Sequence, residues 1–289
     1  MAVVYTGRWV VRDYECDAYG HLNNANYVRY MQEAAFAASA AVGYPKARYE
    51  ALQRLWLARE TEIEYLQPLH DGDEVEITTW VADFRQVRSL RRYEFRRAGE
   101  DALVARASTD WVYLDRDSGQ VIAVPPEVVR AYAGEDPVER LARAAFPAPP
   151  APPAGAFTLR QRVEWRDIDA AHHLNNAAYL NHIEDSAIHA AAAYGWPPAR
   201  CREAGFAMVA HRHHIEYQQP AVIGDELDIT TWLFEVKRFL AMRHYAITRV
   251  RDGAPIAQAQ TQWVAIRLDT GKSVRVPPEM LDDLAPNIA

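Results

Sequence analysis

The chain is one segment written twice. The pair Asn23-Asn24 recurs as Asn175-Asn176, and this shift of 152 residues (from 23 to 175) aligns the two copies without a gap as far as the shared motif Val-Pro-Pro-Glu. A unit of about 130 residues has the size of a domain and is too long for a solenoid repeat. The repetition therefore predicts a first domain over residues 1–140 and a second over 158–289, joined by a semi-rigid linker over 141–157 that is rich in Pro and Ala.

Each copy has the pattern of a helix followed by strands. A short strand is predicted over residues 8–15, and apolar and small residues then recur at helical spacing over 24–42, where Gly43 supplies a stop. Alternating β-branched and aromatic residues predict strands over 56–67, 73–84, 88–98 and 102–115, with no further helix. This order indicates an α+β fold in which each half is an antiparallel sheet wrapped around a central helix.

Composition narrows the class of protein. With 289 residues, 49% of them hydrophobic and 25% charged, the chain is typical of globular proteins, and it has no apolar run of transmembrane length. Arg8 and Arg12 interrupt the N-terminal segment, so no signal peptide is evident and a cytoplasmic location is expected. A net charge of −7 argues against nucleic-acid binding. The two cysteines stand at non-equivalent positions, so no disulfide framework is predicted.

Four polar residues recur together just ahead of the predicted helix in both copies, although neighbouring positions have changed. They are Asp17, His21, Asn23 and Asn24 in the first copy and Asp169, His173, Asn175 and Asn176 in the second. Helix capping alone would explain one asparagine. It does not explain why an aspartate and a histidine are kept as well.

These residue types suit reactions at a carbonyl group. The start of a helix offers free N–H groups that can stabilise an oxyanion, and a nearby carboxylate can act as a general base on water or attack the carbonyl directly. The sequence leaves these two roles for Asp17 and Asp169 open. His21 and His173 can orient the carbonyl or share in proton transfer, or they can be structural residues bonded to a loop carbonyl.

The segments ECDAYGHLNNANY and DIDAAHHLNNAAY resemble the D-x-D-x-x-G-H-x-N-N-x-x-Y loop of hot-dog-fold acyl thioesterases of the 4-hydroxybenzoyl-CoA thioesterase type. The tandem layout is similar to that of acyl-ACP thioesterases. The resemblance implies a tandem double hot-dog that hydrolyses acyl-CoA or acyl-ACP in fatty acid metabolism without a cofactor or metal, with a homo-oligomer left open. It gives the carboxylate role to Asp17 and Asp169 and the polarising backbone N–H to Asn24 and Asn176. Substrate contacts are assigned to Asn23, Asn175, Tyr27 and Tyr179.

Two departures bear on whether both copies work. Plant acyl-ACP enzymes have an Asn two residues after the Asp, where this chain has Tyr19 and Ala171. The loop glycine, Gly20, is replaced in the second copy by His172, which changes the backbone if that position needs a positive φ. The two sites therefore need not work equally.

Several alternatives remain beside the hydrolase. The same fold can hold an acyl thioester without cleaving it, or can dehydrate a hydroxyacyl thioester.

His211 and His213 share a strand face but have no matching ligands in the first copy, so we interpret them as ordinary strand residues. A basic stretch is interpreted mainly as a solvated strand face, with a few members contacting coenzyme A phosphates or an acidic carrier protein. Its members in the first copy are Arg85, Arg88, Arg91, Arg92, Arg96 and Arg97.

Overall fold

The structure, a computed structural model, describes residues 3–134 and 140–289. The chain divides into two compact units between Ala145 and Phe146. Residues 1–2 and 135–139 of the predicted first domain lie outside the described residues. The predicted domain limits and the linker over 141–157 stay predictions, although the division into two halves agrees with the duplication.

The first half is a five-stranded antiparallel sheet with one long helix and two short ones. Its strands lie in the order β1-β3-β4-β5-β2. In chain order the elements are β1 Val4–Val10, α1 Asn24–Ala41, α2 Lys46–Ala51, β2 Arg54–Tyr65, β3 Glu74–Phe84, β4 Arg88–Arg97, β5 Leu103–Asp115 and α3 Pro126–Ala133.

The second half repeats this plan, with strands in the order β6-β8-β9-β10-β7. In chain order its elements are β6 Phe157–Arg162, α4 Ala178–Ala193, α5 Pro198–Glu203, β7 Phe206–Tyr217, β8 Glu226–Phe234, β9 Leu240–Arg249, β10 Pro255–Arg267 and α6 Pro278–Leu284. The α+β prediction is confirmed for both halves. Among the described residues, no helix combines the length and apolar character needed to cross a membrane.

The long helix lies against one face of its sheet because each presents apolar residues on one side, at the period of its own secondary structure. Along β3, Val75 and Ile77 are fully buried and alternate with residues that are less buried. Tyr27 at the start of α1 packs on Phe95 of β4 and edge-on to Tyr65 of β2, with ring centroids 5.6 and 5.1 Å apart. These contacts fix which end of the sheet carries the start of the helix.

Two local predictions are wrong. The first strand covers Val4–Val10 and not residues 8–15, because the chain turns at Arg12, whose backbone N–H donates to the Glu15 carboxylate at 2.9 Å in a 3₁₀ turn over Asp13–Glu15. Short helices also follow the long one. In α2 and α3 the helix starts directly after a proline, Pro45 or Pro125.

The segment over residues 140–153 forms neither helix nor strand, yet it is fastened at both ends. Arg143 binds Asp83 and Asp110 of the first half, with nitrogen–oxygen distances of 3.0 and 2.6 Å. In the second half, the Gln260 side chain donates to the Pro147 carbonyl at 3.0 Å. The segment therefore packs on each half in turn.

Candidate active site

The predicted polar cluster is built on a tight loop that both halves share. The backbone N–H of Asp17 donates to the His21 carbonyl at 2.7 Å, and Cys16 and Leu22 form a β-bridge that closes the loop. Asp169 and His173 make the same bond at 3.0 Å in the second half. The Leu22 N–H then donates to a carbonyl of the segment after β2, which fixes the loop against the sheet.

One oxygen of each carboxylate organises this loop. Asp17 Oδ1 accepts hydrogen bonds from the backbone N–H groups of Tyr19 and His21, at 2.8 and 3.1 Å. Asp169 Oδ1 accepts from the Ala171 N–H at 2.8 Å. Within residues 3–134 and 140–289, nothing binds Oδ2 of either half-buried carboxylate. Each aspartate is therefore held by one oxygen and keeps the other available.

A backbone N–H is left unused at the start of α1 and, in the second half, two residues ahead of α4, which begins at Ala178 and not at the equivalent of Asn24. Asn23 Oδ1 accepts from the Ala25 N–H at 3.0 Å and so caps α1. The Asn24 N–H donates to no residue that the structure describes, and the Asn176 N–H likewise has no acceptor there. The carbonyl of Asn24 is fixed by the Tyr65 hydroxyl, which donates to it at 3.3 Å. A free backbone N–H at a helix start can polarise a carbonyl oxygen.

The four residues predicted to contact substrate, Asn23, Asn175, Tyr27 and Tyr179, all contact other parts of the fold. Asn175 Oδ1 accepts from the Ala177 N–H at 2.9 Å, the equivalent of the bond that Asn23 makes, although α4 begins later and has no side-chain cap. Tyr27 and Tyr179 are buried, each edge-on to a second tyrosine, and burial raises the pKa of both hydroxyls. Their predicted contacts with substrate stay predictions.

The histidines differ between the halves. Burial lowers the pKa of His21, the Asp17 charge opposes this shift, and His70 lowers the pKa further. The two imidazoles lie edge to face, with ring centroids 5.2 Å apart, whereas Val222 replaces His70 in the second half. Neither the His21 nor the His173 ring hydrogen bonds to a described residue. The purely structural role, which would bond the ring to a loop carbonyl, therefore has no support among these residues.

The change from Gly20 to His172 does not alter the backbone of the loop. Gly20 has φ +76° and His172 has φ +63°, so the histidine adopts the left-handed conformation that the glycine adopts freely. The loop position thus needs a positive φ in both halves. The cost of the substitution is backbone strain and not a rearranged site.

An ion pair behind the loop was missed by the sequence interpretation. The Arg97 side chain binds the Asp73 carboxylate at 3.1 Å and also donates to the Pro68 carbonyl, which shapes the segment between β2 and β3. The carbonyl of Leu69 in this segment receives the Leu22 N–H at 2.7 Å. Arg249, Asp225 and Pro220 repeat the arrangement. The sequence contained a signal for this ion pair, because both the arginine and the aspartate recur at the shift of 152 residues.

The prediction of a solvated basic face is wrong for part of the stretch. Arg88 is paired with Asp110, Arg97 is paired with Asp73, and Arg91 is buried. An alternating strand pattern does not tell which face will be covered, and here cations lie on both faces. Among the described residues, no group of three or more His, Cys, Asp or Glu side chains is arranged to hold a metal ion.

Comparison with known proteins matches both halves to one family. The model of the thioesterase-like superfamily matches residues 11–132 and again residues 163–284. A 12:0-ACP thioesterase from Umbellularia californica has a similar solved structure, with a TM-score of 0.69, 16% identity, and coverage of 91% of this chain and 97% of that one. This likeness shows the tandem double hot-dog fold.

Two curated relatives extend the comparison at the level of sequence. A chloroplastic acyl-[acyl-carrier-protein] hydrolase of Cuphea viscosissima is 21% identical over 271 residues, covering 90% of this chain and 63% of the relative. A long-chain acyl-CoA thioesterase of Escherichia coli is 28% identical over 126 residues, covering 43% of this chain and 92% of the relative. The chain thus spans less than two thirds of the plant relative and matches the bacterial one with a single half.

Proposed function

This chain belongs to the thioesterase-like superfamily, and from that premise we propose that it hydrolyses an acyl thioester, acyl-CoA or acyl-ACP, to a free acid and a thiol. The observation that carries the proposal is the duplicated pairing of a carboxylate that has one free oxygen with a free backbone N–H at or just ahead of the long helix.

The free N–H of Asn24 or Asn176 would donate a hydrogen bond to the thioester carbonyl oxygen as negative charge develops on it. The free Oδ2 of Asp17 or Asp169 then has two routes. As a general base it takes a proton from water, which attacks the carbonyl carbon and expels the thiolate. As a nucleophile it attacks that carbon itself, expels the thiolate and leaves a mixed anhydride that water hydrolyses. In either route the thiolate leaves as the thiol after protonation.

Replacement of each aspartate by asparagine tests the carboxylate. Asn keeps an Oδ1 acceptor for the loop N–H groups but cannot act as the base or the nucleophile, so Asp17→Asn with Asp169→Asn should abolish thiol release in a chromogenic assay while the chain stays folded. Asp101→Asn, at an exposed position, is the control for loss of one charge. Thiol release by the double variant at the parental rate would show that neither carboxylate acts.

The single variants then divide the activity between the halves. A single variant without effect identifies a silent half, and partial loss in each shows that both work. Hydrolysis in ¹⁸O-labelled water under single-turnover conditions tests the nucleophilic route, because label enters the aspartate only when water opens a mixed anhydride at the aspartyl carbonyl carbon, whereas attack of water on the acyl carbon puts the label in the free acid. A cytoplasmic location, a role in fatty acid metabolism and a homo-oligomer stay predictions.

A further inference from the structure

The segment between β2 and β3 carries a histidine, His70, where the equivalent residue of the second half is Val222. Both residues are held by the same backbone bond. The His70 N–H donates to Asp73 Oδ2 at 2.9 Å, and the Val222 N–H donates to Asp225 Oδ2 at 3.0 Å. At this position the two halves therefore differ by a side chain on a matching backbone.

The His70 ring reaches the candidate site through His21. The centroids of the two imidazoles lie 5.2 Å apart at an interplanar angle of 81°, so the edge of one ring meets the face of the other. Among the described residues, no aromatic ring contacts His173, although the exposed His172 precedes it in the chain. The pair of imidazoles is thus a feature of the first site.

The surroundings of the two rings favour a positive charge on His70 over one on His21. The His70 side chain is 51% exposed and its Nδ1 lies 3.9 Å from Asp73 Oδ2, so water and a carboxylate can both stabilise a charge there. Burial lowers the pKa of His21, Asp17 opposes this shift, and His70 lowers the pKa further. The titratable and charged groups around the pair are Asp17 and Tyr19 of the loop, Asp71 and Asp73 of the segment, Arg97 of β4 and Tyr27 of α1.

A charge on His21 would act on the carboxylate that has a free oxygen. Asp17 is near enough to His21 to stabilise a positive charge on its ring, and an imidazolium is a strong donor to a carboxylate oxygen. A carboxylate bound in this way is a weaker base and a weaker nucleophile, because its negative charge is neutralised. A neutral His21 therefore leaves Oδ2 of Asp17 available.

We propose that His70 is a positioning residue of the first site, which acts through His21 to keep Oδ2 of Asp17 available as the pH falls. The second site has Val222 instead and should lose activity at a higher pH. A unit charge 5.2 Å away moves a protonation equilibrium by about 0.6 pH unit in surroundings as polar as water. The inference rests on the proposed function, because it concerns the same carboxylate in the same reaction.

NMR titration of ¹³C-labelled imidazoles tests the coupling of the two rings without any need for turnover. His70→Val introduces the residue that the second half carries, and it should raise the titration midpoint of His21 by about 0.6 pH unit. His70→Gln, which keeps a polar side chain, should do the same. Val222→His should lower the midpoint of His173 by a similar amount. His189→Ala, which removes an exposed imidazole of α4, is the control and should leave both midpoints unchanged.

Thiol release against pH then tests the consequence at each site. In the Asp169→Asn background only the first site can act, and there His70→Val should move the acid limb upward by about 0.6 pH unit, with the loss of rate confined to that limb. In the Asp17→Asn background, Val222→His should move the acid limb of the second site downward.

Three results would overturn the inference. They are an unchanged His21 midpoint in both His70 variants, a loss of rate by the same factor at every pH, and a first site that releases no thiol. Absence of thiol release from the parental chain would overturn the proposed function as well, whereas the NMR midpoints report on the contact of His70 with His21 in either case.

Discussion

Backbone strain at the second loop gives a prediction that can be worked out from the structure. His172 has φ +63°, in the region where a side chain costs about 1–2 kcal/mol relative to the right-handed conformation. His172→Gly removes this cost but adds freedom to the unfolded chain, worth about 0.4–1 kcal/mol. The net expectation is a gain in the free energy of unfolding of about 0.5–1 kcal/mol.

The first loop supplies the reverse experiment. Gly20 has φ +76°, and a Cβ built there would meet no atom within 4 Å, so Gly20→Ala introduces no clash and tests the backbone alone. It should lower the free energy of unfolding by about 1 kcal/mol.

Urea unfolding of the parental chain and both variants measures these changes, and the thermal midpoints should move by about 2–4 °C per kcal/mol, in opposite directions. The reasoning is refuted if His172→Gly leaves stability unchanged or lowers it while Gly20→Ala is neutral. In that case the positive φ at this position would not be required by the loop.

Two further predictions concern buried charges. Arg143→Met removes the cation that the Asp83 and Asp110 carboxylates share, whose side chains are 0% and 6% exposed, and leaves Asp83 with Arg85 and Asp110 with Arg88. It should cost about 1.5–3 kcal/mol in urea unfolding, the value of a hydrogen bond to a charged group. Arg85→Met, at a side chain 43% exposed, should change stability by less than about 0.5 kcal/mol, and equal effects of the two variants would contradict the buried network. Burial lowers the pKa of His244 to about 4, below its unfolded value of about 6.5, so the unfolded state takes up the proton first and stability falls by about 1.4 kcal/mol per pH unit as the pH drops from 6.5 to 4. His244→Gln should reduce the slope of the free energy of unfolding against pH in this range by the contribution of one proton. An unchanged slope would show that the imidazole is not excluded from protonation.

Much of the candidate site could be predicted because it is local in sequence. Asp17, His21 and Asn23 lie within one loop, so a motif and its repeat at a fixed shift are enough to bring them together. The different roles of the two carboxylate oxygens of the aspartate could not be predicted in this way. Which oxygen binds the loop and which stays free depends on hydrogen-bond geometry that a sequence pattern does not contain.

The sequence by itself determined the duplication, the α+β class, the long helix and the loop ahead of it, since each depends on spacing along the chain. The tertiary structure decided which cations are buried. In β4, arginines occupy both faces, so the period of two could not tell that Arg91 faces the helix while Arg92 is exposed. Strand pairing settled this by placing Arg91 next to Thr109, a residue far along the chain.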